Sequence, residues 1–169
     1  HHPDAVSVGG WAMDLHPADG VYSELSSCTQ WHSKGVYQIP YRTMYSRNIS
    51  NLFLTGRLIS VSHVAFGSTR VMATCAHNGQ AVGMAAALCA KQGLRPRQAP
   101  VDELQRELLK AGQFIPGHAL LDPADLAHAA AVRTSSCFEL EQLPPCTESQ
   151  LLDCSRAMLL PVQAGPMPS

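Results

Sequence analysis

The sequence has little charge of either sign. Only 15% of its 169 residues are charged, against about a quarter in an average soluble domain. Twelve basic and 13 acidic residues leave a formal net charge of −1, which argues against a strongly basic nucleic-acid binder, so we expect no nucleic-acid partner. A chain of this length still buries about two-thirds of its unfolded surface, so it is neither a disordered tail nor a disulfide-stapled miniprotein.

Metal-binding and secretion patterns are also missing. The six cysteines include no C-x-x-C pair and no zinc-ribbon spacing, so we expect no metal site. Cys75 and Cys89 lie in a run of small residues, where a reduced thiol fills space like a small apolar side chain. No basic segment followed by an apolar stretch marks a secretion signal, and we expect a soluble, cytoplasmic protein.

The sequence has one uncharged stretch with the length of a bilayer span, residues 71–90. Its centre carries His77, Asn78 and Gln80, and these polar side chains make transfer into lipid unfavourable. We therefore expect a buried helix of a soluble protein and no membrane partner.

Acidic side chains are absent from residues 25–101, which contain eight lysines and arginines. The near-neutral total therefore averages a basic middle with two acidic ends. A basic segment of this length predicts that an anion faces it.

The centre of the chain is predicted to form a strand, a loop and a helix. Residues 51–56 are a short apolar run that ends in glycine, as is typical of a parallel strand buried on both faces. Residues 57–69 form a loop, and loops of this length are usually functional. The proline-free, alanine-rich run from Arg70 to Gln92 predicts a long helix that ends at Gly93.

The flanking segments are less regular. Residues 1–35 are predicted to form loops with at most short strands, and residues 36–42 an edge strand. Residues 101–110 have the apolar spacing of an amphipathic helix. The segment after residue 131 begins like a strand and continues as a proline-rich, aperiodic tail.

The strand, loop and helix together predict a corner that binds an anion or a cofactor. A parallel strand delivers its loop to the carboxyl edge of the sheet, where open α/β folds bind ligands. The helix start offers free N–H groups and a positive dipole end. Gly67, Ser68 and Thr69 remove bulk and add hydroxyl groups, while Arg57 and Arg70 add positive charge. Ordinary N-capping and tight packing are the alternative explanation for the same residues.

Residues 51–88, NLFLTGRLISVSHVAFGSTRVMATCAHNGQAVGMAAAL, resemble the C-terminal flavin-binding motif of the FAD-dependent oxidoreductase family. The stretches VYQIPYR at 36–42 and GGWAMDLHP at 9–17 are similar to segments that precede that motif. The resemblance covers roughly residues 4–112 and implies an α/β fold, namely the C-terminal portion of a glutathione-reductase-like FAD-binding domain.

The resemblance also implies which residues hold FAD. It places Gly56 and Arg57 beside the phosphates or the ribityl chain of the cofactor. It places the residues around the helix start at the isoalloxazine ring: Gly67, Ser68, Thr69, Arg70 and Val71.

The implied reaction is hydride transfer from an unknown small-molecule substrate to flavin N5. His63 and Arg70 are the candidate catalytic residues, because a loop histidine and an arginine flank the substrate carboxylate in related flavoproteins. Tyr41 and Arg42 are candidate substrate-binding residues, and His16 is a further candidate for the reaction.

The sequence departs from the family in one respect. It contains no G-x-G-x-x-G turn followed about 20 positions later by an acidic residue, the motif that binds the ADP half of the cofactor. It also begins at His1 without an initiator methionine. We therefore expect a fragment of a longer enzyme, whose missing N-terminal portion is a partner in binding FAD.

The expected domain organisation has three parts. Residues 1–115 form the C-terminal part of the oxidoreductase domain, residues 116–130 a linker, and residues 131–169 a tail or the start of an incomplete β-rich unit similar to a discoidin-like sandwich. Two other functions remain open: a non-catalytic module that binds an anion or a nucleotide, and an inactive truncated product.

Overall fold

The computed structural model describes residues 1–33, 35–126 and 130–131. The described residues contain both strands and helices, so the fold is of mixed α and β type. The chain divides into two units, His1–His118 and Ala119–Ser169, and the strands and helices of the described residues all lie in the first.

Four short strands form two separate antiparallel pairs in the described part of the chain. Strand β1 (Ala5–Gly9) pairs with β4 (Tyr37–Pro40), with an irregularity in the register between Ala5 and Ser7. Strand β2 (Met13–Leu15) pairs with β3 (Thr29–Trp31). The prediction of an edge strand at 36–42 is confirmed in β4, and Pro40 lies at its end, where a missing N–H is tolerated.

Three α-helices follow the strands within the described residues. Helix α1 (His63–Thr69) begins after Ser62, whose side chain accepts a hydrogen bond from the N–H of Ala65. Helix α2 (Met72–Gln92) ends at Gly93, which adopts the left-handed conformation with φ of 66°. Helix α3 (Val101–Lys110) carries acidic residues in its first turn and Lys110 in its last, matching the helix dipole. The predictions of α2, its glycine cap and α3 are therefore confirmed.

The core lies between β1, α2 and α3. One face of α2 is buried, and it carries Thr74, Asn78, Ala81, Ala85 and Cys89. These small side chains let α2 approach β1 and α3, which contribute the larger apolar groups of the core: Val6, Leu104 and Leu108.

Two glutamine side chains tie the C-terminal part of the first unit to β1. The amide nitrogen of Gln105 on α3 donates to the carbonyl oxygens of Pro3 and Ala5, at 2.9 and 2.8 Å. The amide nitrogen of Gln113, just after α3, donates to the carbonyl oxygen of Val6 at 2.5 Å. Since β1 is irregular at this point, the glutamines satisfy carbonyl groups that its partner strand leaves free.

The predicted parallel strand at residues 51–56 does not form. Phe53 makes a single antiparallel bridge with Tyr45, and Gly56 adopts a φ of 61° and opens a 3₁₀ turn, Gly56–Leu58. A parallel strand needs a parallel neighbour, and the described residues provide none. A short apolar run cannot by itself distinguish a buried parallel strand from a chain segment that folds back once.

The segment predicted as a loop over 57–69 is partly helical. Helix α1 occupies its second half, and Gly67, Ser68 and Thr69 lie buried inside α1 instead of in a loop before the long helix. Because the N–H of Arg70 closes the last turn of α1, the long helix begins at Met72 and not at Arg70. The Ser and Thr hydroxyl groups therefore do not cap α2.

The strand expected after residue 131 and the proline-rich tail lie outside the described residues, and the three-part domain division stays a prediction. The described cysteines Cys28, Cys75 and Cys89 are free thiols. Among the described residues, no helix combines the length and the apolar character that crossing a membrane requires.

Candidate functional site

The start of α2 lacks a side-chain cap. Val71 occupies the N-cap position, and its side chain accepts no hydrogen bond. The first backbone bond of the helix runs from the N–H of Cys75 to the carbonyl oxygen of Val71, at 2.9 Å. The N–H groups of Met72, Ala73 and Thr74 therefore have no partner within the helix. Met72 is 85% exposed, so this end of a 21-residue helix is open to a ligand.

Arg57 lies beside this helix start. Its Nε donates to the carbonyl oxygen of Arg70 at 3.4 Å, directly before Val71. The thiol of Cys75 donates to the same oxygen at 3.5 Å. Because these contacts use only the Nε of the Arg57 guanidinium, its two terminal nitrogens remain available to an anion.

The 3₁₀ turn that carries Arg57 has little bulk. Nothing lies within 4 Å of the position that a Cβ on Gly56 would occupy. The buried hydroxyl groups of Thr55 and Thr69 have no hydrogen-bond partner among the described residues. The segments next to the α2 start therefore carry three features: space at Gly56, the free N–H groups of the helix, and the unpartnered hydroxyl groups of Thr55 and Thr69.

Arg70 forms an ion pair with an acidic residue. Its Nη2 donates to Oδ2 of Asp14 on β2 at 2.7 Å, and it contacts Nε2 of His16 at 3.2 Å. The side chains of Arg70 and Asp14 are 29% and 14% exposed, so water screens this pair only in part. The positive charge of Arg70 is therefore partly neutralised at the α2 start, whereas that of Arg57 is not.

His16 has a defined tautomer in this cluster. Its Nδ1 lies 2.9 Å from the carbonyl oxygen of Ser27, which can only accept, so Nδ1 carries the proton. In the neutral ring, Nε2 then carries a lone pair, which accepts a hydrogen bond from Nη2 of Arg70. A second proton on Nε2 would instead point to Asp14, whose Oδ2 lies 3.3 Å away.

Asp14 is stabilised as a carboxylate. Burial acts to raise its pKa, but the hydrogen bond from Gln30 and the charges of His16 and Arg70 outweigh burial and hold the pKa below its usual value. Asp14 is thus ionised at neutral pH and fixes the Arg70 guanidinium.

Acidification is expected to remove the contribution of Asp14 to stability. Its folded pKa lies below the unfolded value of about 3.9, so the contribution is present above that value and is lost as pH falls through the folded pKa. The Asp14→Asn variant lacks the charge at every pH. The difference in free energy of unfolding between wild type and Asp14→Asn should therefore shrink below about pH 4. Urea denaturation at neutral and acidic pH measures it, and an equal difference at both would contradict this role.

Ser68 connects α1 to the strands. Its Oγ donates to the carbonyl oxygen of Trp11 at 2.6 Å, so the hydroxyl of Tyr37 must be the donor in the Tyr37–Ser68 contact. Ser68 is 3% exposed, and its hydroxyl both donates and accepts a hydrogen bond within the chain. Its neighbour Gly67 packs directly on β2, where a Cβ would lie 2.9 Å from the carbonyl oxygen of Asp14.

The two candidate catalytic residues lie at opposite ends of α1. His63 is the first residue of the helix and is exposed, whereas Arg70 follows its last residue. Seven residues of α-helix separate them by about 10 Å along the axis. The histidine that contacts Arg70 is His16.

The two candidate substrate residues have partners elsewhere in the first unit. Tyr41 is 2% exposed, and its hydroxyl donates to the carbonyl oxygen of Pro96 at 2.6 Å. Burial, followed by the nearby Cys89 and Tyr45, raises the pKa of Tyr41 above its usual range, so the phenol stays protonated. Arg42 pairs with the carboxylate of Asp4 and contacts His2. These contacts tie Tyr41 to the segment after α2 and not to its start.

Sequence reasoning missed Asp14. The signal that could have found it is the two-residue spacing between Asp14 on β2 and His16 just after the strand, which places both side chains on the same side of an extended chain. Within the described part of the chain, no group of three or more potential ligands is arranged to hold a metal ion.

The arrangement around α2 suits a negatively charged or electron-rich ligand. The helix dipole and the three free N–H groups favour negative charge at this point, and Arg57 supplies a fixed cation beside them. The neighbouring Arg70 forms an ion pair with Asp14, which neutralises part of its positive charge.

Comparison with known proteins matches more than half of the chain to a protein family. The family model described as FAD dependent oxidoreductase matches residues 1–108, which include α2 and the site around its start. No curated protein and no solved structure matches the chain. The chain therefore belongs to the FAD dependent oxidoreductase family, whose cofactor is FAD and whose role is flavin-linked oxidation and reduction.

Proposed function

We propose that this chain is the C-terminal portion of a glutathione-reductase-like FAD-binding domain and presents the start of α2 to the flavin. The observation that carries the proposal is the uncapped N-terminus of α2 within the part of the chain that the family model matches. The ADP half of FAD would be bound by a chain segment that carries the G-x-G-x-x-G fingerprint, because these 169 residues contain none.

The residues around the α2 start fit FAD. Its phosphates are anionic, and its ring gains negative charge on reduction, which the free N–H groups of Met72, Ala73 and Thr74 would stabilise. Arg57 would hold a phosphate or the ribityl chain, since its terminal nitrogens are free, and Gly56 leaves space there. The Thr69 hydroxyl is buried in α1 without a described hydrogen-bond partner, so it would bind the cofactor only after the residues around it opened.

FAD, when bound, would accept a hydride from a small reduced substrate. Arg70 would orient the substrate or the ring from its position beside Asp14, and Val71 would cover the ring with an apolar side chain. The exposed His63 and the Arg70-bound His16 are the two candidates for accepting a proton. His16 lies beside Arg70, and its Nε2 would have to leave its contact with the guanidinium before it could accept a proton.

Three of the residues predicted for the site would stabilise the surrounding structure instead of touching the cofactor: Ser68, Tyr41 and Arg42. The Ser68 hydroxyl joins α1 to Trp11 and to Tyr37 on β4. Tyr41 and Arg42 are engaged by Pro96 and Asp4, and contact with substrate would require Arg42 to leave its carboxylate partner.

The visible absorption spectrum tests the proposal. The chain is mixed with FAD, alone and together with the fingerprint-bearing portion of the enzyme, and then desalted. We expect a flavin band to be retained at least in the combined sample. The Arg57→Gln variant should weaken retention about tenfold, since it removes one charge-assisted contact. Arg106→Gln on α3, an exposed arginine, is the matched control and should behave as wild type.

Two results would contradict the proposal. One is a combined sample that retains no flavin, which would remove the cofactor assignment for this chain. The other is equal flavin retention by wild type and Arg57→Gln, which would remove Arg57 from the site while leaving the family membership intact.

A further inference from the structure

A second basic site lies beyond the other end of α2. A cavity of about 380 Å³ is bounded by two segments, residues 46–50 and residues 95–98. Three of its lining residues are arginines: Arg47, Arg95 and Arg97. No aspartate or glutamate lines the cavity, and both segments belong to the stretch of the sequence that lacks carboxylates.

The positive charge of the cavity is not neutralised within the described part of the chain. None of the three arginines forms an ion pair with a described carboxylate, in contrast to Arg42 and Arg70. Three neighbouring cations without a counter-charge repel one another, so a bound anion would relieve that repulsion. Arginine is also the side chain whose planar donors match a phosphate oxygen pair.

Two other polar residues that line the cavity, Ser46 and Gln98, keep hydrogen-bond donors for a ligand. The Ser46 Oγ accepts from the N–H groups of Asn48 and Ile49, at 3.2 and 3.0 Å, so its O–H remains free to donate. The Gln98 Oε1 accepts from the N–H of Arg95 at 3.1 Å, which leaves the Gln98 amide nitrogen as a donor. In these two side chains the internal hydrogen bonds occupy the acceptor oxygen and leave the donor free for a ligand.

The fold holds the cavity walls in place. Arg97 donates to the carbonyl oxygen of Arg47 at 3.0 Å, which joins the two segments, and its guanidinium lies 5.9 Å from the centre of the Tyr45 ring. The Tyr41 hydroxyl holds the carbonyl oxygen of Pro96 at 2.6 Å. The walls are therefore fixed by contacts that do not use the side chains of Arg47 and Arg95.

This cavity is separate from the site at the α2 start. Helix α2 has 21 residues, and a helix of that length spans about 30 Å. The cavity residues 95–98 follow the glycine that ends α2, whereas Arg57 and Val71 adjoin its beginning.

We propose that the cavity binds a small phosphate-bearing molecule through Arg47, Arg95 and the free donors of Ser46 and Gln98. The volume lies near the lower end of the range for small-molecule sites, which suits one or two phosphate groups with a small organic portion. The site needs no cofactor and stands independently of the flavin proposal.

Isothermal titration of inorganic pyrophosphate into the full chain tests the proposal. We expect saturable binding by wild type and affinity that is weaker by at least about tenfold in Arg47→Gln and in Arg95→Gln, since each loses a charge-assisted contact. Neither side chain forms an ion pair with a described residue, so both variants should keep the thermal stability of wild type. Arg106→Gln is the charge-matched control and should bind like wild type.

The α2 start could also bind pyrophosphate, and Arg57→Gln separates the two sites. Binding that survives Arg57→Gln and falls in Arg47→Gln supports the cavity. Binding that falls in Arg57→Gln and is unchanged in Arg47→Gln and Arg95→Gln would overturn it, as would the absence of saturable binding in wild type.

Discussion

Replacing Gly67 with alanine is expected to make the chain less stable than the same replacement at Gly83, although alanine usually stabilises a helix relative to glycine. Gly67 lies in α1 against β2, and an added Cβ would lie 2.9 Å from the carbonyl oxygen and 3.2 Å from the N atom of Asp14. Backbone atoms cannot move aside as a flexible side chain can. Helix α1 would have to shift from β2, which would stretch the Arg70–Asp14 and Ser68–Trp11 contacts.

The matched control for Gly67→Ala is Gly83→Ala in α2. Nothing lies within 4 Å of a Cβ at Gly83, and neither glycine has a positive φ. Both changes carry the same helix-propensity gain of about 1 kcal/mol, so the difference between the variants isolates the steric cost. We expect Gly83→Ala to raise the free energy of unfolding and Gly67→Ala to fall below it by about 1–3 kcal/mol, the usual cost of overpacking.

Chemical denaturation of the two variants measures this difference. Gly67→Val, which adds two further carbon atoms at the same contact, should be less stable than Gly67→Ala. Equal stability of Gly67→Ala and Gly83→Ala would show that α1 does not pack on β2 as closely as the structure has it.

Replacing Val71 with aspartate is expected to raise stability and to lower FAD affinity. Val71 has φ of −72° and ψ of 150°, the extended conformation that N-cap residues adopt. An aspartate at this position would accept the N–H groups of the first helical turn and stabilise α2 by about 0.5–2 kcal/mol. The same groups are those proposed to face the flavin, so they would no longer be free, and a negative charge would stand before them.

If stability rises while FAD affinity falls, the loss of affinity cannot be explained by a poorly folded variant. Thermal denaturation should show Val71→Asp to be at least as stable as wild type, while titration with FAD, followed by flavin fluorescence in the flavin-retaining preparation, should show affinity reduced by at least about tenfold. Val71→Asn caps the helix without adding charge and is the matched control, with a smaller loss of affinity. Unchanged FAD affinity in Val71→Asp would remove the α2 start from the flavin site.

The long helix and its end were predictable because local chemistry decides them. An alanine-rich run without proline favours helix at each position, and Gly93 adopts the left-handed conformation that stops it. Helix α3 was equally predictable, since Leu104 and Leu108 are spaced to bury one face. The resemblance to the flavoprotein family was also readable in residues 51–88, and the family match is consistent with it.

The surroundings of that helix could not be read from local patterns. The apolar run at 51–56 forms one antiparallel bridge and no parallel strand, because strand formation depends on a partner strand from elsewhere in the chain. Gly67, Ser68 and Thr69 pack inside α1 because contacts with β2 and Trp11, more than 50 residues earlier, stabilise that short helix.

The charge pattern can be read from the sequence, whereas the ion pairs between distant residues can be seen only in the structure. Sequence alone establishes that residues 25–101 carry positive charge without carboxylates, and it predicts that an anion faces them. Only the tertiary structure decides which arginines are free, since Asp4 and Asp14 come from the acidic N-terminal segment to neutralise Arg42 and Arg70. Ion pairing acts through space and falls off steeply with distance, so the order of residues along the chain does not reveal that Arg57, Arg47 and Arg95 are left available.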